Sequence, residues 1–134
     1  MSRHTILVIE DNPLNWELVR DLLEANKFIV VHAPNAKEGI CMAREILPDL
    51  ILMDFGLPDL DGLSATRQLK SDPVTFTIPV IGVTAHAMKG DEEQAMHAGC
   101  DGYMTKPIDI KTFGTTIAAI LSGVSIKRNA NHQG

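Results

Sequence analysis

The chain has 134 residues and a net charge of −5, which suits one ordinary domain; its acids and bases are scattered, leaving no basic stripe for nucleic acid. No apolar stretch approaches the ~18 residues of a membrane span and no leader pattern opens the chain, so a soluble, cytoplasmic protein without membrane insertion is expected. Cys41 and Cys100 form no CxxC motif and are expected to be reduced, small apolar residues.

Five strand–helix units follow one another. Residues 5–10 form a continuous apolar, β-branched run, the pattern of a strand buried on both faces. Asn12-Pro13 supplies a capping residue and a proline for the first turn of helix 1, whose Leu14, Leu18 and Leu22, with Val19 and Leu23, are expected to face the sheet. Residues 28–31 are a short second strand. Asn35 caps a helix that runs to about Leu47 and is stopped by Pro48. Strand 3 covers 49–53 and leads into the loop from Gly56 to Gly62, before a helix over 63–71. Strand 4 is expected at 79–84, helix 4 at 87–98 with Gly99 as its stop, strand 5 at 101–105 and helix 5 at 109–121. The domain thus spans 1–122, and residues 123–134 are expected to be a disordered tail.

Alternating strands and helices imply a parallel sheet, because each crossover must return to the same end. The expected class is α/β, a doubly wound five-stranded parallel sheet with helices on both faces. The strand order rests on chemistry. Glu10 and Asp11 end strand 1, Asp54 ends strand 3, Thr84 ends strand 4 and Lys106 follows strand 5. For the carboxylates to share one cation, strands 1 and 3 must be neighbours with strand 2 outside. The flavodoxin-like order 2-1-3-4-5 does this, with its switch point between strands 1 and 3.

Crowded carboxylates repel. Two of them about 4 Å apart at an effective dielectric near 20 cost about 4 kcal/mol, so such a cluster needs a cation or a retained proton. Oxygen donors without histidine or thiolate favour a hard ion, with Mg²⁺ the expected cofactor. Beside it, Asp54 can attack phosphorus as a nucleophile, with Lys106 and Thr84 stabilising the phosphoryl oxygens. Taken singly, these residues have ordinary readings: Asp54 as a helix cap, Glu10-Asp11 as a solvated turn, Thr84 as a strand residue, Lys106 as a surface charge and Tyr103 as packing. Their coincidence at neighbouring strand ends favours phosphoryl transfer.

The segments Ile6–Asn12, Pro48–Asp54, Leu57-Pro58-Asp59-Leu60-Asp61-Gly62, Val83-Thr84-Ala85 and Lys106-Pro107 resemble the receiver domains of bacterial two-component response regulators. The likeness covers about residues 4–122. It implies Mg²⁺ on the side chains of Glu10, Asp11 and Asp54 and on the Gly56 carbonyl, and phosphorylation of Asp54 by a sensor histidine kinase or histidine phosphotransfer protein. Thr84 and Tyr103 match the family's switch pair. The peptide bond between Lys106 and Pro107 matches one that is commonly cis in the family.

With no room after helix 5 for an output domain, the chain resembles the stand-alone receivers of the chemotaxis and DivK-like types. Residues 85–92 are closer to the latter. His86 departs from the acidic residue of the chemotaxis regulator, at a position that modulates phosphate lifetime in the family; it is equally readable as a plain loop residue. The resemblance implies a phosphorylation switch rather than a dedicated turnover enzyme. Its downstream target would bind the helix 4–strand 5–helix 5 face, with Lys89, Glu92, Glu93 and Tyr103 as candidate contacts. The alternatives are a relay intermediate serving a histidine phosphotransfer domain and a phosphate-independent scaffold. A phosphohydrolase would place a second aspartate two residues after Asp54, where this chain has Gly56.

Overall fold

Buried apolar runs set the sheet. The computed structural model describes residues 3–57, 59–85, 91–106 and 108–123. Among these, the elements in chain order are β1 (Thr5–Ile9), α1 (Pro13–Ala25), β2 (Ile29–Ala33), α2 (Ala36–Ile46), β3 (Leu50–Asp54), α3 (Gly62–Ser71), β4 (Val80–Thr84), α4 (Asp91–Ala98), β5 (Gly102–Thr105) and α5 (Ile110–Leu121). The strands form one sheet in the order β2-β1-β3-β4-β5, and every pairing is parallel. This is the doubly wound order expected from the sequence.

Period-two alternation divides the strands between two cores. Ile6, Val8, Leu50, Leu52, Ile81 and Val83 pack against Val19 and Leu23 of α1 and Phe113, Ile117 and Ile120 of α5. Leu7, Ile9, Ile51, Met53 and Val80 face the other way, toward Ala36 and Ala43 of α2, Ala65 and Leu69 of α3 and Ala95 of α4. Small residues on that second side let the helices come close. A Cβ at Gly39 would sit 2.6 Å from Ile9 Cγ1, so α2 lies hard against β1 only because position 39 has no side chain.

The caps follow the local sequence. Asn12 Oδ1 accepts from the amides of Leu14 and Asn15 at 2.9 and 3.1 Å, with Pro13 at the first helical position of α1. Asn35 accepts from Glu38 N and opens α2. Its far end is closed by Leu47 in the left-handed region (φ 53°), immediately before Pro48. Asp61 caps α3 through Ser64 N, and Asp109 caps α5 through Lys111 N.

Several expectations need correction. Leu14 and Leu18 do not face the sheet; they are 76% and 40% exposed. The stripe on the sheet is Trp16, Val19, Leu22 and Leu23, and a neighbouring stripe is turned from it by about 100° per residue step. β2 runs to Ala33 rather than ending at Val31, because a polar residue, His32, continues a strand that lies at the sheet edge. β4 begins at Val80 and α4 at Asp91; the start expected for α4 at 87, with His86 and Lys89, lies outside the described residues. The same holds for Pro107 and its peptide bond and for the tail from residue 124 onward. Cys41 is exposed, Cys100 is buried, and both are free thiols. No helix among the described residues is long and apolar enough to cross a membrane.

Candidate functional site

Register brings the predicted residues to one edge. Ile9 pairs with Met53, so the next residues, Glu10 and Asp54, stand side by side where β1 and β3 end. Asp54 lies opposite Val83, one residue before Thr84, and Thr84 in turn lies opposite Thr105, one residue before Lys106. The loop backbone keeps the strands in line here: Phe55 N donates to Val83 O at 2.8 Å and Lys106 N to Thr84 O at 2.7 Å. The site sits at the carboxyl ends of the strands, at the switch point of the topology.

Glu10, Asp11 and Asp54 each offer a carboxylate oxygen, all within 4.8 Å of one another. Glu10 and Asp54 are buried, at 4% and 6% exposure, while Asp11 is exposed. Burial, reinforced by a hydrogen bond with Asp54, pushes the Glu10 carboxyl up to about 7. The cluster therefore resists a full set of negative charges without a counter-ion. Lys106 supplies part of one, with Nζ 3.4 Å from Asp54 Oδ1 and 3.6 Å from Glu10 Oε1. The donors are all oxygens, which suits a hard divalent cation.

Two backbone amides hold the acids in place. Asn12 N donates to Glu10 Oε2 at 3.1 Å, and Gly56 N to Asp54 Oδ1 at 3.0 Å. With Thr84, buried, and Ala85, these groups line a cleft of about 270 Å³ that also reaches Asn15 and Phe55. Tyr103 is outside this cleft. It is half-buried, its ring edge-on to Phe55 at 6.2 Å between centroids.

Four features were not singled out by sequence. His32 of β2 stacks on Trp16, with centroids 4.1 Å apart and planes 10° apart, and its Nε2 lies 2.7 Å from Glu10 O. The second strand thus supports the site although its end carries no acid. Asp59, in the loop after Asp54, accepts from Ala36 N and Lys37 N at 3.0 Å each and ties that loop to the start of α2; the two amides hold its carboxyl below the usual range. Leu18, Ile108 and Ile110 border an apolar hollow of about 280 Å³ between α1 and α5 that opens on Glu10, Asp54 and Lys106. The fourth is Phe55 itself, inconspicuous as one more apolar residue beside an aspartate. The sequence presents Asp59 only within the segment Leu57–Gly62, with no role of its own, and Leu18 only as a helix-1 residue expected to face the sheet.

The chain matches the response regulator receiver domain model over residues 6–118. It is 47% identical over 117 residues to the polar-differentiation response regulator DivK of Brucella anthropi, covering 87% of this chain and 95% of that one. The receiver domain of the sensor histidine kinase PA1611 from Pseudomonas aeruginosa, solved with a magnesium ion coordinated in its active-site cleft, superposes with a TM-score of 0.77. It shares 32% identity, over 90% of this chain and 95% of that one. A two-component response regulator of the LuxR family from Aurantimonas sp. SI85-9A1 gives a TM-score of 0.85 at 32% identity, over 92% and 89% of the two chains. Fold and kinship agree: the chain belongs to the response regulator receiver domain family of two-component signalling.

Proposed function

We propose that the protein is a phosphorylation-dependent signalling switch. Asp54 accepts a phosphoryl group from a histidine kinase or a histidine phosphotransfer protein, with Mg²⁺ as cofactor, and the modified domain changes its affinity for a protein partner. The observation that carries this reading is the convergence of three carboxylates and the Lys106 ammonium in one cleft. Glu10, Asp11 and Asp54, with the Gly56 carbonyl, would hold the cation, which when bound neutralises charge on phosphoryl oxygens.

The chemistry asked of the chain's own residues is modest. An Asp54 carboxylate oxygen attacks phosphorus; a P–O bond forms as the P–N bond to the donor imidazole breaks, and the electron pair leaves on that nitrogen. Gly56 N donates to Oδ1 of Asp54 and so holds the carboxylate in place. Lys106, already between the two buried acids, offers its charge to the incoming group. Thr84 donates its hydroxyl to a phosphoryl oxygen, and Tyr103 follows it inward. The added charge of about −2 is local, so its effect reaches the α4–β5–α5 face through Thr84 and Tyr103. Glu92 and Glu93, exposed on α4, are candidate contacts on that face.

The donor side differs in character. Leu14 and Leu18 on α1 and Ile110 at the start of α5 are exposed, and Leu18 and Ile110 border the hollow that opens on Glu10, Asp54 and Lys106. Such apolar residues suit an amphipathic helix of the donor protein laid across α1 and the start of α5. The test is intact mass after incubation with Mg²⁺ and a small acyl phosphate. One phosphoryl adduct is expected on the wild type, none when the metal is chelated and none on Asp54→Ala. An adduct that persists in Asp54→Ala would overturn the assignment.

A further inference from the structure

The ring of Phe55 occupies a slot made by the absence of two side chains. A Cβ built on Gly62, at the start of α3, would lie 2.6 Å from Phe55 Cγ, and one on Gly82, in the middle of β4, would lie 2.5 Å from Phe55 Cζ. Real Cβ atoms do not approach this closely, so glycine at both positions is what allows an aromatic ring there. Neither glycine has a positive φ; they are needed for space, not for backbone conformation.

The slot lies between the two halves of the switch. Side chains alternate along β3, so Asp54 and Phe55 leave the strand on opposite sides of the sheet. The Asp54 side chain reaches the cleft with Lys106, while Phe55 packs with the α2–α3–α4 core alongside Tyr103. There Phe55, Gly62, Leu63, Thr84, Gln94 and Tyr103 line a hollow of about 180 Å³. Phe55 is thus covalently next to the phosphoacceptor and edge-on to the aromatic ring whose position reports it. Its amide is also tied to Val83 O, the residue before Thr84.

We infer that Phe55 is a positioning residue of the switch: its ring, fixed by Gly62 and Gly82, forms the wall against which Tyr103 turns and so sets the balance between the two Tyr103 positions. The inference rests on the reading of Asp54 as phosphoacceptor and deepens it. Thr84 and Tyr103 need a surface to move across, and an edge-to-face aromatic pair is strong enough to shift a two-state balance by about two- to ten-fold. Truncating Phe55 removes the wall. Adding a methyl at Gly82 pushes the ring from its slot into the space beside Tyr103.

Tyr103 is the chain's only tyrosine, so 3-fluorotyrosine labelling of the full chain gives one ¹⁹F resonance from it. The experiment compares that resonance with and without Mg²⁺ and beryllofluoride, an acyl phosphate mimic, in wild type, Phe55→Leu, Gly82→Ala and the double variant. Phosphoryl adduct formation is measured by mass in parallel. We expect Gly82→Ala, whose residue lies outside the cleft, to keep forming the adduct, and the ligand-dependent population shift at Tyr103 to change at least about two-fold in both single variants. The double variant, which has no ring left for the added methyl to displace, should match Phe55→Leu rather than add the two effects. An unchanged Tyr103 response in both single variants, with adduct intact, would overturn the inference and leave the phosphoacceptor reading standing. Failure of the wild type to form an adduct would overturn both. Should Phe55→Leu fail to fold, Gly82→Ala and Phe55→Met carry the same comparison.

Discussion

Glu10 bears the largest electrostatic strain among the site's described groups. Its carboxyl titrates near 4.5 when unfolded and is pushed up to about 7 in the folded, metal-free protein, first by burial and then by its hydrogen bond with Asp54. Between those values the folded state holds a proton that the unfolded state has released, so stability is fully present below about pH 4.5 and falls as pH rises through about 7. The unfolding midpoint of metal-free protein should decline over that window, and Glu10→Gln should flatten the decline. Mg²⁺ should lift the midpoint most at the alkaline end, where it no longer competes with a proton. A profile indifferent to Glu10→Gln would contradict this account. Trp16 gives a second reading of the same group. It is the only tryptophan, and the stack on His32 connects it to the Glu10 carbonyl. Its fluorescence should change on Mg²⁺ titration, and His32→Ala should weaken that response without abolishing the phosphoryl adduct; an identical response in His32→Ala would contradict the connection.

At the scale of elements, the strongest separation is between what α1 does for stability and what it does for binding. Asn12 caps it through two amides, and Asn12→Ala should cost about 1 kcal/mol in chemical denaturation. Leu14, at 76% exposure, contributes little to folding. Leu14→Ser should leave stability within about 0.5 kcal/mol of wild type and leave labelling by a small acyl phosphate unchanged. Phosphotransfer from a histidine kinase should fall several-fold in that variant; equal transfer from both donors would place the docking surface elsewhere. The helix also shows where sequence reading stops. Asn12-Pro13 announced its start because capping chemistry is local. The orientation of Leu14 and Leu18 depended on how α1 is rolled against the sheet, and apolar spacing alone allowed two stripes. His32 escaped for a related reason: an edge strand tolerates a polar residue, so the apolar run ended before the strand did. Asp59 acts on α2 across the fold, and no spacing within its own loop announces that.

For the molecule as a whole, chemistry decided the topology. Strand–helix alternation implied a parallel sheet, but only the need to bring Glu10 beside Asp54 placed β1 next to β3, and the observed order agrees. The acids, Thr84 and Lys106 were legible because each ends a buried run, and a parallel sheet gathers such ends on one edge. Phe55 was not legible, since its meaning comes from two glycines that are near it only in the folded chain. Kinship with the receiver family fixes the class of protein; the central claim about this chain is that the phosphoryl group is carried by Asp54. The most direct test traps it chemically. Protein treated with Mg²⁺ and a small acyl phosphate is reduced with borohydride, which converts an aspartyl phosphate to homoserine, and its peptides are then mapped by mass. Homoserine at position 54 and at no other aspartate is the predicted result; homoserine elsewhere with position 54 unmodified would contradict the account.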